Sequence, residues 1–251
     1  MSDLKVILFD IYGTLVDIKT NEHRDDIFDD LSRFLEYRRV FVSGQALKEL
    51  YFDQINQQLA ASRERYPEID VLHAFSHVLR ECGGTNDRHL TVIVSQLYRS
   101  LSRERLRLYE DTFWTLNEFR KRYRLGIISD AQSLFCKPEL RALRLENFFE
   151  SIVISSNYGF RKPDPRLFHI ALSIMDVEAS EAAYIGNNYH TDLLGARAAS
   201  LAWAGLIRQT EDDKKTFIKD VEPDLVAEDL RGAFNVLTEN DDKILLPGRP
   251  A

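Results

Sequence analysis

The stretch VILFDIYGTLVD, residues 6–17, decides the fold. Val6 to Phe9 are four apolar residues in succession, the pattern of a parallel strand covered by helices on both faces. The apolar segment Leu4 to Phe9 ends on the carboxylate of Asp10, and a Tyr12-Gly13-Thr14 turn follows. A carboxylate at the carboxyl end of a buried parallel strand stands where open α/β sheets bind their ligands. Asp10 is therefore a candidate reactive group, although an Asp in that place also serves as a turn or capping residue.

Beyond Asp17 the apolar period changes. Ile27, Leu31, Phe34 and Leu35 form a helical stripe. Leu47, Tyr51, Ile55 and Leu59 form a second, with Ser43 as its cap. Val71, Phe75, Val78, Leu79 and Cys82 form a third, closed by Gly83-Gly84. Leu90, Ile93, Val94, Leu97 and Leu101 form a fourth. Residues 18–105 thus read as an all-helical block. Strand patterns return at 124–129, 151–155, 182–186 and 202–207, separated by helical segments near 112–122, 133–144, 165–175 and 191–199. That alternation predicts βαβ units and a parallel sheet. The expected organisation is an α/β core from 1–17 and 106–240, an inserted helical cap from 18–105, and a loosely held tail from 241–251.

Composition narrows the function. The 251 residues, 44% hydrophobic, suffice for one large core plus a smaller module. Gly 11 and Pro 7 exclude a disordered composition. A net charge of -7 argues against nucleic-acid or anionic-membrane partners. Cys82 and Cys136 stand apart without metal-ligand neighbours, which fits a reducing compartment. The apolar run at the N-terminus is too short for a membrane span. A cytoplasmic protein is expected.

Four polar clusters lie just beyond strands: Asp10 to Thr14, Ser129-Asp130, Arg161-Lys162-Pro163-Asp164, and Gly186-Asn187-Asn188 through Asp192. Singly each has an ordinary explanation. Ser129 with Gln132 fits a capping box, Lys162 a solvated lysine, Asn187 and Asn188 a turn, and Asp192 a helix first turn. Four in order at four strand ends are harder to explain as turns.

These clusters resemble the motifs of the haloacid dehalogenase (HAD) superfamily: FDIYGTLVD motif one, IISD motif two, RKPDP motif three and IGNNYHTDLLGA motif four. The resemblance implies a Rossmann-like core with a helical cap inserted after strand 1. It makes Asp10 the nucleophile of a covalent intermediate. Thr14 and Ser129 would hydrogen-bond the substrate or the transferring group. Lys162 would hold the nucleophile and the developing charge, and Asp192 would organise Lys162, a water or a metal. Tyr12, Asp130, Asn187 and Asn188 would shape the site.

Two departures from the family's phosphatases bear on the reaction. Where those enzymes carry the acid that protonates the leaving oxygen, this chain has Tyr12, whose phenol ordinarily titrates near 10. Where they carry a Mg²⁺-ligating aspartate, it has Asn187, which retains an oxygen ligand but not the charge. A tyrosine at the first position is typical of the family's metal-independent 2-haloacid dehalogenases. Against that, Asp164-Pro165, Phe168 and the Gly186-to-Asp192 spacing resemble the phosphatase form, and no halide-binding arginine is evident. Arg38, Arg39, Arg63 and Arg65 are candidates by location only, with solvated helix ends as the plainer reading.

The leading expectation is a hydrolase of a small anionic substrate, of 2-haloacid dehalogenase type and needing no cofactor. The alternative is a small-molecule phosphatase using Mg²⁺ held weakly at Asp10, Asn187 and Asp192. A non-catalytic binding or regulatory protein is the third reading. A homodimer through the cap or an exposed edge is compatible with the chain.

Overall fold

The computed structural model describes residues 4–84, 87–208 and 221–245. Strand β1, Val6–Phe9, is central in a six-stranded parallel sheet of order β5-β4-β1-β6-β7-β8. Its partners are β4 (Arg124–Ser129), where Phe9 pairs with Ile127, and β6 (Ala182–Gly186), where Phe9 pairs with Ile185. The outer strands are β5 (Ser151–Ile154), β7 (Trp203–Ile207) and β8 (Leu225–Ala227). Alternation in β1 feeds two cores. Ile7 and Phe9 pack with Leu116, Phe119, Leu140 and Leu237 on one face. Val6 and Leu8 pack with Leu167, Phe168, Ala171 and Met175 on the other. Each such side chain contributes about 1.5–3 kcal/mol on burial. The continuous apolar reading of β1 is thereby explained.

The helices of the inserted block are α1 (Asp25–Tyr37), α2 (Gly44–Ala61), α3 (Val71–Glu81) and α4 (Arg88–Ser102). They bury most of the expected stripes in a third core that includes Ile27, Leu31, Tyr51, Phe75 and Tyr98, while Leu59, the last of the α2 stripe, stays exposed. Ser43 caps α2 by accepting from the Ala46 N–H at 3.2 Å. The core helices are α5 (Thr112–Phe119), α6 (Ser133–Ala142), α7 (Pro165–Met175), α8 (Leu194–Ala198) and α9 (Leu230–Leu245).

Three expectations need correction. The inserted block is not all-helical at its ends. Strand β2 (Val16–Thr20) pairs antiparallel with β3 (Arg103–Leu108), and this hairpin crosses the divisions expected at 17/18 and 105/106. Asp17 anchors it, accepting from Arg105 at 2.7 Å and Arg107 at 2.9 Å. The reason for the miss is distance: the partners lie more than 80 residues apart, and the short alternations VDIKT and RLRL adjoin the helical block whose longer period dominates the reading. Second, the expected loose tail begins inside α9, which runs to Leu245; residues 246–251 lie outside those described. Third, Ser129 and Gln132 make no capping box. Ser129 ends β4, and Gln132 begins α6 without a side-chain cap bond.

Gln132 instead ties the inserted helices down. Its amide donates to the Ile69 carbonyl at 2.9 Å and accepts from the Val71 N–H at 3.1 Å. The segment between α2 and α3 also joins the core through backbone bonds, Glu68 N–H to Gly159 O at 3.0 Å and Arg161 N–H to Tyr66 O at 2.9 Å. The inserted helices thus lie over the carboxyl ends of β1, β4 and β6.

Candidate active site

The nucleophile candidate is positioned by strand pairing carried one residue past β1: the Asp10 N–H donates to Ile185 O at 3.0 Å. The chain then closes a tight turn. The N–H groups of Leu15 and Val16 both donate to Ile11 O, at 2.8 and 2.9 Å, and Gly13 N–H donates to Val16 O at 2.9 Å. Gly13 has a φ of 84, and a Cβ there would overlap the Asn187 side chain. Glycine is required both by the left-handed backbone and by that approach. Thr14 is fully buried, and its hydroxyl lies 3.5 Å from Asn187 Oδ1.

Lys162 is the centre of the arrangement. Its ammonium donates to Asp10 Oδ1 at 2.9 Å, Asp192 Oδ1 at 2.5 Å and the Tyr184 hydroxyl oxygen at 2.9 Å. All three protons are matched, as a buried ammonium requires. The lysine is 2% exposed, so the solvated reading of Lys162 is excluded. Burial would lower its pKa, but the charges of Asp10, Asp192 and Asp130 outweigh this and hold it above the usual lysine range. Asp192, 1% exposed, bonds Lys162 through one oxygen and accepts from the Asn187 and Asn188 N–H groups through the other, at 3.1 and 2.9 Å. The Asn188 side chain caps the following π-turn, Tyr189–Leu193, accepting from His190 and Thr191 N–H. Turns of this type recur at functional sites.

Burial pushes the Asp10 carboxyl up to about 6; Lys162 and the Ser129 hydroxyl oppose this, and the Asp192 charge reinforces it. Asp130, following Ser129, accepts from the Lys162 backbone N–H at 2.9 Å. The five residues expected to act, Asp10, Thr14, Ser129, Lys162 and Asp192, therefore lie on one connected patch. Gly186 is the hinge of that patch, because a Cβ there would collide with the Asp192 carboxylate. Gly186→Ala is expected to displace Asp192 and cost roughly 1–3 kcal/mol. A thermal melt unchanged from the native protein would contradict this.

Tyr12 faces away from acid duty. Its hydroxyl donates to Glu139 of α6, which is 4% exposed, and burial first, then the nearby Cys136 and Glu139, raise the phenol's pKa well above its ordinary value. Glu139 is also held by Arg99 of α4, from Nε at 2.7 Å and Nη2 at 3.2 Å. The guanidinium stands 5.8 Å from the Tyr12 ring centroid and 5.4 Å from that of Phe135. Tyr12, Arg99 and Phe135 line a cavity of about 410 Å³ between inserted helices and core, with Glu22, Glu68, Asp130, Gln132 and Arg161 also on its wall.

Sequence reasoning missed Arg99, Glu139 and Tyr184. Arg38, Arg39, Arg63 and Arg65 are all exposed and none lines the cavity; Arg99 does. Its partner arrives from a helix 40 residues away, which no local pattern reports. Tyr184 did carry a signal: a tyrosine inside the buried strand AAYIG needs a partner for its hydroxyl. It stands beside Phe168, ring centroids 5.0 Å apart, and supplies Lys162 with a hydroxyl from β6 rather than from α7.

Of the expected Mg²⁺ trio Asp10, Asn187 and Asp192, the last is committed elsewhere. Both Asp192 oxygens are turned to Lys162, Tyr184 and the two amides, while Asp10 bonds Lys162 and the Asn187 amide oxygen accepts from Thr14 at 3.5 Å. Among the described residues no three His, Cys, Asp or Glu side chains group to hold a metal ion. Mg²⁺ is commonly held by one or two carboxylates with water and substrate oxygens completing its shell, so Asp10 with the Asn187 amide oxygen fits a weakly held ion. Among the described residues, no helix is long and apolar enough to cross a membrane.

Comparison with known proteins agrees with the motifs. The phosphoserine phosphatase of Thermus thermophilus is 29% identical, the alignment covering 92% of this chain and 98% of that one. Among solved structures, a 2-haloacid dehalogenase from Pseudomonas syringae pv. Tomato superposes with a TM-score of 0.71 at 21% identity, over 94% of this chain and 99% of the other. The HAD-hydrolase YfnB of Bacillus subtilis, solved bound to magnesium, superposes at 0.56 with 20% identity, over 94% and 100%. The model of the haloacid dehalogenase-like hydrolases matches residues 7–206, and the chain belongs to that family.

Proposed function

We propose that Asp10 attacks a small anionic substrate and that the leaving group departs without being protonated, as halide does. The reaction favoured is 2-haloacid dehalogenation without a metal. The observation that carries this is the bond from the Tyr12 hydroxyl to buried Glu139, which leaves the phosphatase acid position without a donor. Lys162 compensates the charge of Asp10 and Asp192, and Thr14 and Ser129 bind the substrate beside Asp10. We take the inserted helices α1 to α4 to act as the cap that closes over the substrate, and the cytoplasm as the compartment.

A second reading is a phosphomonoester phosphatase. The 29% identical phosphoserine phosphatase, aligned over nearly the whole of both chains, favours it, as do the Asp164-Pro165 pair and the Gly186-to-Asp192 spacing. Turnover of L-2-chloropropionate and of p-nitrophenyl phosphate, each with Mg²⁺ and with chelator, separates the readings. Chloride release indifferent to chelator supports the first. Phosphate release dependent on Mg²⁺ overturns it. No turnover of broad panels of haloacids and of phosphomonoesters would favour a binding protein on this fold.

The double substitution Tyr12→Asp with Asn187→Asp supplies an acid and a metal ligand together. It is expected to raise Mg²⁺-dependent hydrolysis of p-nitrophenyl phosphate by roughly 10²-fold or more, the usual scale for general acids. A rate equal to the native enzyme's would show that neither position limits phosphoryl transfer.

A further inference from the structure

A reaction through an Asp10 ester needs a second half, in which water cleaves the intermediate and a base takes its proton. Three carboxylates line the cavity: Glu22, Glu68 and Asp130. Glu68 is engaged by the Ser155 hydroxyl at 2.6 Å and the Ile69 N–H at 2.8 Å. Glu22 lies 3.6 Å from Arg99 of α4. Asp192 is saturated within the Lys162 network, as described above.

Asp130 is different. It follows Ser129, whose hydroxyl bonds Asp10. Its Oδ1 accepts from the Lys162 backbone N–H, and among the described residues its second oxygen has no hydrogen-bond partner. Resting on the reading of Asp10 as nucleophile, we propose that Asp130 is the general base that activates the hydrolytic water. The groups facing it are Lys162, Asp192 and Glu68, with Tyr12, Gln132 and Arg161 along the same cavity. Burial lifts its carboxyl to about 6 against the opposing Lys162 charge, which leaves it ionised yet more basic than an ordinary carboxylate at neutral pH.

Water adds through oxygen to the acyl carbon of the Asp10 ester, and its proton passes to Asp130. The bond from that carbon to the product oxygen breaks, the electron pair stays on that oxygen, and Asp130 returns the proton to it. Asp10 is left as the acid and loses its remaining proton to solvent.

Asp130→Asn keeps an acceptor for the Lys162 N–H while removing the base; Asp130→Ser does the same with a hydroxyl. Each protein is given excess L-2-chloropropionate, chloride release is timed, and the intact protein is weighed by mass spectrometry. Both variants are expected to release about one equivalent of chloride in a burst, to accumulate the covalent adduct, and then to turn over roughly 10²–10⁴-fold more slowly than native enzyme. Native rates in either folded variant overturn the proposal, as does slow turnover with no adduct. A native protein that releases no chloride and gains no adduct overturns instead the haloacid reading on which the assignment rests, and the assignment falls with it.

Discussion

Asp10→Asn eliminates turnover, with an expected loss of about 10⁴–10⁶-fold, the scale seen when a covalent nucleophile is removed. An amide cannot form the ester or acyl phosphate, and no neighbour replaces it. Tyr12 is turned to Glu139, Asp192 is saturated, and Asp130 bonds the Lys162 backbone. The same substitution is not expected to unfold the protein. Burial raises the Asp10 carboxyl from 3.8 to about 6. A raised carboxyl contributes stability while protonated, and that contribution is lost as pH rises from its unfolded value through the folded one. At pH 7 the ionised group therefore weighs against folding, and a neutral amide removes that cost. A melting temperature equal to or above that of the native enzyme, together with absent activity, is the expected pair of results. Retained turnover would refute the nucleophile assignment.

Lys162→Met tests the opposite balance. Methionine fills a similar volume, but Asp10 and Asp192 then face each other as buried like charges, and the Tyr184 hydroxyl loses a donor. Breaking a buried charge pair on one side costs about 3–5 kcal/mol. For a chain of this size that lowers the melting temperature by roughly 6–20 °C. Adding Asp192→Asn to Lys162→Met removes one of the stranded charges and should restore part of the stability. It should restore no activity, because Asp10 still lacks its cation. A double variant no more stable than the single one would mean that lost packing, not unpaired charge, dominates.

Much of this was legible in the chain. The apolar run into Asp10 locates the central strand, and the boundaries of β4 and β6 match their sequence patterns residue for residue. The stripes of α1 to α4 are legible because a helix one face deep in a core repeats its burial every three or four residues. The β2–β3 pair was not, since each strand is defined by a partner far away in sequence and its brief alternation adjoins a long helical block. The site divides in the same way. Asp10, Thr14, Ser129, Lys162 and Asp192 are readable because each belongs to a short polar cluster that follows a strand, Lys162 and Asp192 after a short loop.

The sequence by itself therefore determined the family and the sheet and singled out the carboxylate proposed to react, all of which are written in short contiguous stretches. Only the tertiary structure decided what Tyr12 does. From the chain it was a phenol where an acid is expected. In the fold, Glu139 from α6 and Arg99 from α4 meet at its hydroxyl and ring, and orient it away from proton transfer. Those three residues span 127 positions in the chain. A hydrogen bond's strength depends on distance and angle in space, and no period or motif encodes either across such a separation.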